Sequence, residues 1–85
     1  MSTQFNNWLD TFLSEKGIDL DTSITVAKED SIFGDNHMTV ANIVEAMKSA
    51  DAESQATIKD TIVKIDFLNR DVMDYFQHIA SRMAI

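Results

Sequence analysis

Asp19, Asp21, Ser23 and Thr25 alternate along the chain, and Asp30 stands twelfth counting from Asp19. Oxygen ligands at positions 1, 3, 5 and 12 of a loop are what calcium takes. The sixth position, where that loop turns sharply on glycine, is Ile24, and the twelfth is an aspartate where a longer bidentate glutamate is usual. Ile24 and Val26 alternate with Ser23 and Thr25 as in a strand, so extended chain is the better reading of the segment. His37 and His78 are the only imidazoles, and neither has a second histidine or a cysteine at ligand spacing. Asp35, His37 and Asp74 would have to converge from separate elements to hold a metal. His78 precedes Ile79 and reads as a neighbour of an apolar stripe, and His37 as part of a turn. No metal and no cofactor are expected.

Covalent catalysis finds equally little to work with. There is no cysteine, no G-x-S-x-G elbow, and no phosphate cradle, since Gly17 and Gly34 are the only glycines. Glu29 and Asp30 are adjacent on a polar stretch and read as solvated charge. A chain of 85 residues also has little volume for a substrate pocket. The protein is expected not to be an enzyme.

Charge narrows the remaining classes. The net charge of −7 lies wholly in residues 1–53, because residues 54–85 balance Asp60, Asp66, Asp71 and Asp74 against Lys59, Lys64, Arg70 and Arg82. No basic patch is visible, so direct nucleic-acid binding is not expected. Asp10, Glu15, Asp19, Asp21, Glu29, Asp30 and Asp35 form an acidic row able to steer toward a basic protein surface. No apolar run approaches a membrane span, and residues 1–10 lack the pattern of a signal peptide. With no cysteine to form disulfides, a soluble cytoplasmic protein is the economical expectation.

The elements that must position these residues are mostly helices. Phe5, Trp8, Leu9, Phe12 and Leu13 fall at i, i+3, i+4, i+7 and i+8, which predicts a helix over 3–16, begun by Ser2 or Thr3 and ended by Gly17. Residues 22–28 read as a short strand or extended segment that pairs with 31–33, pairs with another chain, or stays a loop; Phe33-Gly34-Asp35-Asn36 reads as a turn. Val40, Ile43, Val44 and Met47 predict a helix over 39–49 with Thr39 as its cap, and Asp51 caps another over 52–68. Asn69-Arg70 breaks the pattern. Asp71 then caps a last helix over 71–83, with Val72, Phe76, Ile79 and Met83 on its stripe. Met38, Met47, Met73 and Met83 are read as core filler.

The helix over 52–68 is the informative one. At about 100° per residue, Ile58, Ile62 and Ile65 lie on one face, while Ala56, Val63 and Phe67 lie on nearly the opposite face. A helix apolar on both sides demands two packing partners: the other helices of its own chain on both sides, or a second molecule on one. That demand lapses if Val63 and Phe67 stand in open water. Val63, Ile65 and Phe67 also alternate with Lys64 and Asp66, which leaves an α+β alternative with strands at 22–28 and 61–67.

The expected protein is therefore a single mostly α domain over 1–85, with four helices and one short extended or β segment near 22–28. Its expected role is a small, acidic, non-enzymatic interaction protein that forms a homodimer through the third or fourth helix. Ala56, Val63 and Phe67 are the candidate interface. The alternative is an inhibitor whose acidic row mimics nucleic acid on a basic partner. In size and charge alone, with no motif behind it, the chain is similar to small acidic accessory proteins of phages and plasmids.

Overall fold

The computed structural model describes residues 3–26 and 36–83, with side chains described for all of these except 25, 26, 36 and 37. The order is α1 (Thr3–Glu15), β1 (Ser23–Val26), β2 (Asn36–Thr39), α2 (Val40–Lys48), α3 (Ala52–Phe67) and α4 (Val72–Met83). The fold is mostly α with a small antiparallel sheet. Residues 61–67 wind as the last two turns of α3, so the strand alternative for them is overturned. The helical period running from the Asp51 cap wins over the local alternation of two. Among the described residues, no helix is long and apolar enough to cross a membrane.

A strand forms over Ser23–Val26 and pairs with Asn36–Thr39, while residues 27, 28 and 31–33 lie outside the described ones. Ile24 pairs with Met38 and Ser23 with Thr39, so residues expected in a turn and a helix start make β2 instead. The reason lies at the start of α2. Thr39 accepts from the Asn42 N–H (3.4 Å) and donates its own N–H to Asn42 Oδ1 (3.0 Å), a reciprocal capping box. The next free donors, Val40 N–H and Ala41 N–H, reach the carbonyls of Thr22 and Leu20, each at 3.0 Å. The helix start thus satisfies its orphan amides on the chain that leads into β1, and this draws 36–39 alongside it.

Two helices end in the same way. Gly17 (φ 66°) and Asn69 (φ 57°) both adopt the left-handed conformation. Gly17 N–H donates to Ser14 O and Ile18 N–H to Leu13 O; Asn69 N–H donates to Asp66 O and Arg70 N–H to Ile65 O. Both are Schellman ends, in which two otherwise orphaned carbonyls are satisfied. Asp71 caps α4 by accepting from the Met73 N–H at 2.9 Å. Thr3 is the first residue of α1 rather than its cap, and Ser2 lies outside the described residues.

The core sits where the four helices and β1 meet. Leu9, Ile43, Met47, Ile62, Phe76 and Val40 are fully buried, joined by Phe5, Phe12, Leu13, Ile24, Val44, Val72 and Ala80. Met38 and Met73 pack against this cluster and Met47 lies within it, whereas Met83 is exposed. Gln55, not anticipated from its polar type, is also buried. Its Nε2 donates to the carbonyls of Met47 (3.3 Å) and Lys48 (3.1 Å), so it closes the end of α2 from the first turn of α3.

Candidate interaction surface

The two faces of α3 have opposite fates. Ile62 is completely buried and Ile58 and Ile65 pack against the core, because α1, α2 and α4 all contact α3. On the other face Ala56 is exposed, Val63 is 48% exposed and Phe67 is 82% exposed. Of the two packing partners expected for this helix, the described residues supply one. A central helix sandwiched between the others is therefore corrected: the other helices gather on the isoleucine side and leave the second face in water. With Val63 and Phe67 in water the demand for two partners lapses, and what stands is an apolar strip without a partner among the described residues. Leu68, directly after α3, is exposed as well, at 54%. Sequence reasoning passed over Leu68, although a Phe-Leu pair just before a helix-ending asparagine was the available signal.

The strip is held on a fixed support. The hydroxyls of Thr57 and Thr61 turn back onto the carbonyls of Glu53 and Thr57 (3.2 and 2.8 Å), spending their donors within the helix. Asp66 pairs with Lys16 at 2.7 Å, joining the end of α3 to the end of α1. Lys59 lies over the Trp8 ring, 5.5 Å from its centroid, and Trp8 stacks on Phe12 at 5.5 Å. One edge of the strip is thus fastened to α1. On the other edge Asp60 and Lys64 are exposed and make no ion pair among the described residues.

At the start of α3 the Asp51 carboxylate accepts from the Ser54 N–H at 2.7 Å. That bond, with a lesser one to the Ser54 side chain, holds its pKa below the ordinary 3.8. An ionised carboxylate there also suits the positive end of the helix dipole.

The other sequence candidates are dispersed. Asp10, Glu15, Asp19 and Asp21 are exposed, and Asp10 is neutralised by Lys48 at 2.6 Å. Glu29, Asp30 and Asp35 lie outside the described residues. The Asp19 carboxylate accepts from the Asp21 N–H at 2.9 Å, a local turn, and Ser23 already belongs to β1. His78 and Asp74 are exposed on α4, and His37 lies in β2 with its side chain undescribed. Among the described residues, no three histidine, aspartate or glutamate side chains are grouped to hold a metal. Two open depressions stand out among the described residues. One, of about 290 Å³, runs along Asp51, Glu53, Ser54, Thr57 and Ile58. The other, of about 350 Å³, lies between β1 and α4 and is lined by Ser23, Ile24, Asp71, Met73, Asp74 and Gln77.

Against family models, curated proteins and solved structures alike, the chain finds no match.

Proposed function

We propose that this protein is a non-enzymatic interaction protein that acts as a homodimer through the outer face of α3. The observation that carries the reading is the exposure of Val63 and Phe67, 48% and 82%, one turn apart on a well-anchored helix. Side chains four apart on a helix are neighbours, so these two form one patch, and covering it removes apolar surface from water. Charge favours the same half of the chain. Two copies with a net charge of −7 repel, but residues 54–85 are neutral overall and oppose a self-contact least. A cysteine-free chain of this composition fits the cytoplasm.

A contact made by one helix per copy falls at the small end of specific interfaces, about 1,200 Å² or less in total, so a concentration-dependent equilibrium is expected. Sedimentation equilibrium over micromolar concentrations tests this. The expected result is a mass rising from 9.6 kDa toward twice that value, with Phe67→Gln needing roughly 30-fold higher concentration to rise equally. A wild-type chain that stays at 9.6 kDa throughout contradicts the proposal. A nucleic-acid-mimicking acidic surface is the less favoured reading, since Asp10, one of its acids, is paired with Lys48.

A further inference from the structure

Resting on the homodimer proposed above, we infer that the two α3 helices meet antiparallel, with Phe67 of each copy seated over Ala56 of the other. The sizes and charges along the strip support this orientation. Ala56, Asp60, Val63 and Phe67 are spaced 4, 3 and 4 residues apart, the spacing of a helix–helix seam. Ala56 and Phe67 lie eleven residues apart, so the smallest and largest side chains of the seam stand about 16 Å apart along the helix.

In a parallel pairing each residue meets its own copy. Phe67 would crowd Phe67, Ala56 would leave a gap against Ala56, and Asp60, close to the middle of the seam, would face Asp60. An antiparallel pairing that sets Phe67 on Ala56 of the second copy puts the two-fold axis between Thr61 and Ile62. Large then meets small at both ends, and the two Val63 side chains flank the axis. Lys64 comes within about one residue rise (~1.5 Å along the helix) of Asp60 of the second copy, on the same edge of the seam. Neither charge has an ion pair among the described residues, whereas Lys59 and Asp66 on the other edge are engaged with Trp8 and Lys16. By symmetry the contact repeats on the other side of the axis, as a two-fold interface requires.

Engineered thiols test the orientation, since the chain has no cysteine of its own. Ala56→Cys and Phe67→Cys chains are prepared separately, then mixed in a glutathione redox buffer at a concentration where Phe67→Gln still associates, beside unmixed controls and with wild-type mass measured at the same concentration. The expected result is a disulfide-linked dimer in the mixture, and little in either variant alone. Each variant cross-linking to itself at least as readily as in the mixture means a parallel pairing and overturns the inference while leaving the homodimer standing. A wild-type dimer with no cross-link in any sample overturns the placement of Phe67 over Ala56. A monomeric wild-type chain sinks the homodimer proposal, and the inference with it.

Discussion

The inner and outer faces of α3 carry comparable side chains and meet different environments. Ile62 is inaccessible to water while Val63, the next residue, is about half exposed. The inner face is surrounded because α1, α2 and α4 all converge on it; the outer face is bare because no further element of the described fold reaches it. The difference teaches that apolar patterning shows that a helix face has a use, and that only the tertiary arrangement shows whether the fold itself is the user. Inner-face substitutions should therefore act on folding, and outer-face substitutions on association.

The largest separation is expected at Ile62. Ile62→Ala removes a fully buried side chain and should cost about 2–5 kcal/mol, read as a lowered midpoint in urea denaturation of dilute protein. Phe67→Gln should leave that midpoint within about 0.5 kcal/mol of wild type, because exposed sites contribute little to folding. The same variant should weaken association by about 2 kcal/mol, as loss of an aromatic anchor does. Equal effects of the two substitutions on dilute-protein stability would erase the distinction between the faces.

Backbone effects come next and should be indifferent to faces. Gly17 ends α1 at φ 66°, and an added Cβ there meets nothing within 4 Å. Gly17→Ala should then lose only the left-handed preference, about 1 kcal/mol, with no change in association. Thermal melts of dilute protein measure the first, and sedimentation the second.

The smallest effect concerns pH. The Asp51 pKa lies below its ordinary 3.8 because of the Ser54 backbone bond. Its contribution is therefore fully present above about pH 4 and fades as pH falls through the lowered folded-state value. Asp51→Asn keeps an acceptor at the cap but removes that titration. Wild type should lose its advantage over this variant as pH is lowered below about 4, as followed by thermal melts; a constant difference would deny the cap its charge.

Much of this arrangement was legible in the residues themselves. Helix spans follow from apolar spacing and from Thr39, Asp51 and Asp71, whose side chains accept amide hydrogens at the starts of α2, α3 and α4. The partner of β1 was not legible, because it depends on Val40 and Ala41 amides reaching back to Thr22 and Leu20, contacts between segments rather than within them. Gln55 was missed for a similar reason: its burial is tolerated only because the end of α2 presents two carbonyls to it. The two faces of α3 were readable from spacing, but which one the fold would leave bare was not. That depends on where three other helices pack.

The most direct test of the central claim is the response of the backbone amide spectrum to dilution in nuclear magnetic resonance. If the outer face of α3 is where two copies meet, the amides of Ala56, Asp60, Val63, Lys64 and Phe67 should shift or broaden with concentration, while those of the α1 acids Asp10 and Glu15 stay fixed. Spectra that do not change with concentration, or changes centred on the acidic half of the chain, would contradict it.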